Sequence, residues 1–443
     1  MAPAERPNFR ILLIGKGGRE HALAWKLTCS KYVEHVYIVP GNAGTEALPK
    51  ASNCREVAEN DYPGLVKLSR RLNINLVVVG PDDAIVAGIG DYFRYNGIPC
   101  FAPSERAAAI EGSKHYAKDF MARMSIPTAA YKIFDKQNYE EAKAYLKNLN
   151  RRVVIKADGL AAGKGVVLPE TQEEAQQALQ EIMLDGKFGP AGETVIVEEY
   201  LEGYEMSILT FTDGTSILSL PPGQDHKRAR DGNKGLNTGG MGVFAPIPFV
   251  SSDSMTEIEQ TIIMPTIRGL EIADRPFNGM LFTGVMMTSS GPKVLEYNAR
   301  FGDPETQSML LLLTDEGLLE LLLACVENRL ADVKLELSAE YACNITVTAE
   351  GYPEFHREGD LIRLDSPPEG VHIFHSRTER VDGELRTAGG RVFSVAATGK
   401  SLEEAVSAAY KGVECIHFDG MFYRKDIAAG SLSLAPGRTE GGF

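Results

Sequence analysis

Short apolar runs, each stopped by glycine or proline, set the rhythm of the first hundred residues. Residues 11–14 end at Gly15, 36–39 at Pro40-Gly41 and 75–79 at Gly80-Pro81, and 98–101 form a fourth run. Segments of helical composition, such as 20–30, lie between them. Strands alternating with helices predict parallel βαβ units, which bind ligands at the carboxyl ends of the strands, where the glycine clusters fall.

The pattern then changes. Residues 104–124 read as a capped helix broken at Ile126-Pro127. Strand-like 131–134, helical 139–149, strand-like 153–156, a glycine loop at 159–165, a strand at 166–168, a helix at 171–183 and a strand at 194–197 make a compact α+β unit. Runs 205–212 and 215–220 flank Asp213-Gly214, a hairpin signal. Residues 223–242 hold six glycines and no periodicity, which predicts a long functional loop. Strands return at 280–288 and 293–297. The greasy stretch 308–325 is interrupted by Asp315, Glu316 and Glu320, so it reads as a helix pair inside the protein and not as a membrane span. Residues 340–427, rich in short strands and Gly-Pro-Asp turns, read as a separate small β-rich or α+β domain, and the residues after 435 as a linker.

Composition narrows the function. A chain of 443 residues suggests about three domains. Hydrophobic residues at 44% and charged residues at 24% exclude dominant disorder. A net charge of −14 argues against a nucleic-acid partner, yet leaves room for a small phosphate-bearing substrate. Six scattered cysteines without a CxxC pair argue against a disulfide scaffold and favour a reducing, cytoplasmic setting. The polar start lacks the apolar core of a secretion signal. His226, His372 and His375 lack partners at zinc-ligand spacing.

Four segments carry chemistry. The loop Gly15-Lys16-Gly17-Gly18-Arg19-Glu20 invites a dinucleotide reading, but Glu20 stands at the third glycine position and no acidic residue closes the second strand. A phosphate or ribose-phosphate site, a structural turn and a nucleotide site remain open; Asp82, on the same sheet edge, can grip ribose hydroxyls. The run from Lys156 to Val166 is strand, glycine turn, strand. It lacks the Walker spacing, and Gly165 stands where that motif needs Ser or Thr. A glycine hairpin flanked by Lys156 and Lys164 can close over polyphosphate; the bland alternative is a solvated hairpin. Lys114 can add a second contact. Glu198 to Tyr204 links two strands, so its backbone can read an adenine edge while Glu205 accepts ribose hydroxyls. Glu296 and Asn298, two apart on a strand, share one face, and their oxygens suit Mg²⁺; Arg300 lies one step further on that face if the strand continues.

These segments, with Pro40-Gly41-Asn42-Ala43-Gly44-Thr45, Gln224-Asp225-His226-Lys227-Arg228, Asn237 to Gly242 and Arg300-Phe301-Gly302-Asp303-Pro304-Glu305-Thr306-Gln307, resemble the phosphoribosylamine–glycine ligases of the ATP-grasp superfamily. The resemblance spans residues 10 to about 430. It implies an α/β and α+β multidomain protein with an ATP-grasp fold: an N-terminal open parallel α/β domain (1–110), an ATP-grasp large domain (111–127 with 200–335), a lid (128–199), a C-terminal β-rich domain (336–430) and a tail or linker (431–443). It implies ATP and Mg²⁺ or Mn²⁺ as cofactors, glycine and 5-phosphoribosylamine as substrates, and glycinamide ribonucleotide, ADP and phosphate as products, the second step of purine synthesis.

By the same resemblance, Lys114, Lys156, Gly163, Lys164, Gly165, Glu198, Glu199, Tyr200, Leu201 and Glu205 contact ATP. Glu296 and Asn298 hold the metal. Asp225, Lys227 and Arg300 line the reaction centre, with Asp225 either taking a proton or holding the glycine ammonium. Gly17, Gly18, Asn42, Asp82 and Asp303 seat substrate. In many eukaryotes such a domain is fused to aminoimidazole ribonucleotide synthetase, which the linker-like end fits. No nucleic-acid or membrane partner is implied.

Overall fold

A computed structural model describes residues 8–149, 151–159 and 165–433. The expected contacts of Gly163 and Lys164, and the linker-like residues after 435, lie outside them.

The N-terminal sheet is parallel, in the order β3-β2-β1-β4-β5, from β1 (Phe9–Gly15), β2 (Val33–Pro40), β3 (Ala51–Asn53), β4 (Leu76–Val79) and β5 (Cys100–Phe101). Both of its faces are covered, which explains unbroken apolar runs in place of alternation. Leu12 and Ile14 enter one core; Ile11 and Leu13 enter the other, against Leu23 and Leu27 of the helix Gly18–Cys29. The strand order reverses between β1 and β4, so the Gly15–Gly18 loop and Asp82 meet at the switch point where open α/β sheets bind ligands.

Residues 104–124 form two helices, Glu105–Gly112 and Lys114–Arg123, rather than one. Ser113 ends the first in extended backbone and caps the second, its Oγ accepting from Tyr116 N. The lid sheet is antiparallel, β6-β9-β7-β8: β6 (Tyr131–Asp135), β7 (Val153–Ala157), β8 (Val166–Val167), β9 (Thr194–Glu199). The central sheet, β11-β10-β16-β17, joins β10 (Tyr204–Asp213) and β11 (Ile217–Ser219) through the expected Asp213-Gly214 hairpin.

The segment 223–242 departs from the expected loop. It holds β12 (Gln224–Asp225) and a hairpin of β13 (Arg228–Arg230) and β14 (Lys234–Asn237), then enters β15 (Gly242–Ala245). The central sheet then takes β16 (Asn278–Thr288) and β17 (Gly291–Asn298). The greasy stretch becomes the helices Glu305–Met309 and Gly317–Val326, joined by a short 3-10 turn. Among the described residues, no helix is long and apolar enough to cross a membrane.

The C-terminal part comprises β18 (Tyr341–Thr348), β19 (Arg363–Leu364), β20 (Val371–His375), β21 (Thr378–Val381), β22 (Glu384–Thr387), β23 (Arg391–Gly399) and β24 (Ile416–His417). Its main sheet runs β12-β15-β18-β23-β20, so two strands from the middle of the chain complete it. The helix Leu402–Val413 covers this sheet; Ser401 Oγ accepts from Glu404 N while Glu404 accepts from Lys400 N.

Buried histidines join these parts. His21 Nδ1 accepts from His375 N at 2.9 Å, and His226 Nε2 accepts from Ala428 N at 3.2 Å. Burial holds His226 and His375 down to about 4. In an unfolded chain each titrates near 6.5. Between these values the unfolded state binds protons that the fold refuses, so stability falls as pH falls through that window, by up to about 3 kcal/mol per histidine. Urea midpoints should therefore drop between pH 6.5 and 4; a flat profile there contradicts the buried neutral state.

Candidate functional site

A cavity of about 890 Å³ lies between these parts, and β17 lines it. Glu296 and Asn298, two apart on the strand, both line the cavity, while the hydroxyl of buried Tyr297 between them meets Thr266 Oγ1 at 2.7 Å. Gly284, opposite Glu296 on β16, leaves room for its stem: a Cβ there would lie 3.3 Å from Glu296 Cγ. Lys227, from the turn between β12 and β13, bridges Glu205 on β10 (2.5 Å) and Glu296 (3.3 Å). Lys227, Lys156 and Lys114 together hold Glu296 down to about 2, so it is a carboxylate at any physiological pH. Burial works against the charge on Lys227, yet Glu205, Glu296 and Asp225 raise its pKa well above the lysine range.

Strand β17 ends at Asn298, so Arg300 lies beyond it. It still lines the cavity because Asn298 Oδ1 accepts from its NH2 at 3.2 Å and Glu111 pairs with its Nε at 3.2 Å. Glu111, at the end of the helix Glu105–Gly112, also accepts from Ala299 N at 2.7 Å.

The opposite wall comes from the lid and from the helix Lys114–Arg123. Lys156 on β7 and Lys118 on the helix Lys114–Arg123 share one carboxylate, Glu198 on β9, at 3.0 and 2.8 Å. Lys156 also donates to Leu295 O at 2.9 Å and Lys118 to Thr128 Oγ1 at 2.8 Å. Burial brings Lys118 down to about 8 against the pull of Glu198. Two ammonium groups on one buried carboxylate leave surplus positive charge at the cavity wall. Lys114 donates to Gly159 O at 2.9 Å, at the described edge of the glycine loop. Gly165, Glu199 and the link Tyr200–Leu201 complete this side, with Glu205 at its end.

Asp225 faces the cavity beside Gly240, where a Cβ would lie 2.7 Å from Oδ1. Its Oδ1 is buried without a hydrogen-bond partner among the described residues. Burial, then the nearby charge of Glu305, pushes its pKa well above the carboxylate range. Asp303 opposes burial through Arg391, which pairs with it at 3.2 Å and holds its pKa low.

The N-terminal domain gives the cavity Arg19 and Asp82. Gly17, Gly18 and Asn42, expected beside substrate, do not line it. Glu20 Oε2 takes the Gly17 N–H at 2.6 Å and its side chain fills the loop, since a Cβ on Gly80 would lie 1.9 Å from Oε1. The residue that breaks the dinucleotide pattern thus occupies the loop itself. Gly18 lies under Ser376, whose Oγ would be 2.4 Å from a Cβ. Asn42 donates to Lys16 O and His375 O and accepts from Gly44 N and Thr45 N, knitting loop to β20.

Sequence reasoning missed Lys118, Glu111 and Arg391, and quoted Arg19 and Glu305 only within their motifs, without a role. Lys118 was within reach: it follows Lys114 by four residues on a helix, hence on the same face. Glu111 and Arg391 carry no local signal, because their partners Arg300 and Asp303 are distant in the chain.

Comparison with known proteins agrees with this geometry. Residues 9–111 match the family description "Phosphoribosylglycinamide synthetase, N domain", 112–306 its "ATP-grasp (A) domain" and 342–430 its "C domain". The Schizosaccharomyces pombe bifunctional purine biosynthetic protein ADE1 is 52% identical over 95% of this chain and 54% of its own length, so the chain spans about half of that relative. The phosphoribosylamine–glycine ligase of Vibrio vulnificus is 42% identical over 95% of this chain and 97% of its own. The crystal structure of the Thermotoga maritima phosphoribosylamine–glycine ligase superposes with a TM-score of 0.81 at 32% identity, covering 94% of this chain and 99% of that one. This chain, with its ATP-grasp core and parallel N-terminal sheet, belongs to the phosphoribosylamine–glycine ligase family.

Proposed function

We propose that this chain joins glycine to 5-phosphoribosylamine, using ATP, in the cytosol. The observation that carries this reading is the convergence, in one cavity, of Lys114, Lys118 and Lys156 with surplus positive charge, an ionised Glu296 beside Asn298, and an Asp225 whose Oδ1 has no hydrogen-bond partner among the described residues. The lid side suits ATP, with Lys114 and Lys156 on its phosphates and the Glu198–Leu201 link along the adenine. Glu296 and Asn298 fit Mg²⁺ or Mn²⁺: one is a permanent carboxylate, the other offers an amide oxygen, and both are hard donors on one strand face. A divalent ion held there would neutralise charge on the phosphates.

A carboxylate is a poor acyl donor because oxide would have to leave. Attack of the glycine carboxylate oxygen on the γ-phosphorus breaks the bond to ADP and gives glycyl phosphate. The amine of phosphoribosylamine then attacks the acyl carbon, loses a proton, and phosphate departs. Lys156 and Arg300 offset negative charge during the first step. Asp225, with a free buried oxygen, either holds the glycine ammonium or takes the amine proton; each role needs the incoming cation to draw it back to the carboxylate that burial disfavours. Asp82, Arg19 and Asp303 line the side left for phosphoribosylamine. The glycyl phosphate hydrolyses in water, so closure of the lid against the 223–242 segment protects it.

The test is phosphate release from ATP and Mg²⁺, scanning amino acids with and without freshly generated phosphoribosylamine. Release is expected only with glycine and phosphoribosylamine together, with glycinamide ribonucleotide detected by mass. Release with another carboxylate–amine pair would overturn the substrate assignment.

A further inference from the structure

Among the described residues Arg424 is the largest fully buried side chain, 1% exposed, at a depth it shares chiefly with phenylalanines. Desolvating a guanidinium is costly, and an apolar side chain of similar volume would fill the space as well. What it does there is visible in its partners. Its Nε and NH2 form a two-point pair with Asp426 at 2.8 and 2.9 Å. Its NH1 donates to Arg228 O at 3.0 Å and its NH2 to Asn233 Oδ1 at 3.0 Å, the base and the tip of the β13–β14 hairpin.

The surrounding segment repeats the grip. Asp426 accepts from Gly232 N at 2.7 Å, Asp231 accepts from Lys425 N at 2.8 Å, and the Arg230 guanidinium stacks 4.6 Å from the Phe422 ring centre. Three hairpin residues, Arg228, Asn233 and Asn237, reach the cavity, and so do Arg424 and Asp426. Lys227 directly precedes the gripped Arg228 carbonyl. Its own carbonyl accepts from Thr238 N and Oγ1, both at 2.8 Å, so hairpin and Lys227 move together.

We infer that Arg424 is a positioning residue: it fixes the β13–β14 hairpin and thereby the Lys227 ammonium between Glu205 and Glu296. The C-terminal arm is then a working wall of the reaction cavity. This rests on the cavity being the site of the ligase reaction proposed above. A buried ion pair fixes register where apolar packing would let the hairpin slide. Loss of that register displaces Lys227 without touching the lid residues that seat ATP.

The test uses the full chain with Arg424→Ala and the milder Asn233→Ala, which removes one contact and buries no unpaired charge. Hydrogen exchange read without substrates should rise in residues 228–237 and stay unchanged in the lid. In the ligase assay kcat should fall by about 10²-fold for Arg424→Ala and less for Asn233→Ala, with KM for ATP nearly constant. Added guanidinium should restore part of the Arg424→Ala rate. Unchanged exchange in the hairpin, or equal losses in kcat and ATP binding without guanidinium rescue, overturns the inference. If Arg424→Ala does not fold, Asn233→Ala decides by the same two readouts. Because exchange needs no substrate, a wrong substrate assignment would leave that readout standing.

Discussion

Glu198→Gln should destabilise the protein by about 3–5 kcal/mol, the largest single-site stability effect expected here. Glu198 is 2% exposed and is the shared counter-ion of Lys118 and Lys156. Glutamine keeps the shape and removes the charge, leaving two buried ammonium groups facing each other. Lys118, already near 8, would give up its proton first. Lys156 would turn from the orientation that presents it to the cavity, so ATP affinity should fall with stability. Urea denaturation and nucleotide titration check both parts. A loss below about 1 kcal/mol would mean the pair is as replaceable as a surface one.

Glu296→Ala should do the opposite: spare the fold and stop the chemistry. Lys227 keeps Glu205 at 2.5 Å, while buried Lys114 loses the carboxylate that most favours its charge, so the stability loss should be about 1–3 kcal/mol, short of unfolding the chain. Turnover should drop by about 10²–10³-fold, since the carboxylate that would hold the divalent ion is gone. The dependence of the remaining rate on Mg²⁺ should move to higher concentration. Near-normal turnover at limiting Mg²⁺ would sink the metal assignment.

How far the sequence was legible follows from where each interaction partner lies. The N-terminal strands were legible because a strand buried on both faces is apolar throughout and glycine or proline marks its end. Glu296 and Asn298 were legible because two residues apart on a strand is a local fact. The strands β12 and β15 were not: β12 is two residues long and pairs with β15, which in turn pairs with β18, about a hundred residues later. The helix Leu402–Val413 did carry its signal, Ser401 and Glu404 before apolar positions 402, 405, 406 and 409, and was lost among strand-like neighbours. Asn42 illustrates the converse. The family resemblance set it beside substrate; here its amide bonds to backbone groups, one of them from β20 more than three hundred residues away, a contact no local pattern announces.

The membership of β12 and β15 in the C-terminal sheet also bears on how the chain is made. A ribosome delivers the parallel sheet, the lid and the central sheet before it delivers β18. Until then β15 has an unpaired edge, and Lys227, two residues past β12, has no fixed frame. Nascent chains stopped near residue 335 should therefore carry a folded N-terminal domain and lid beside an unfinished, protease-sensitive 223–245 segment, and competence for the reaction should arrive late and all at once.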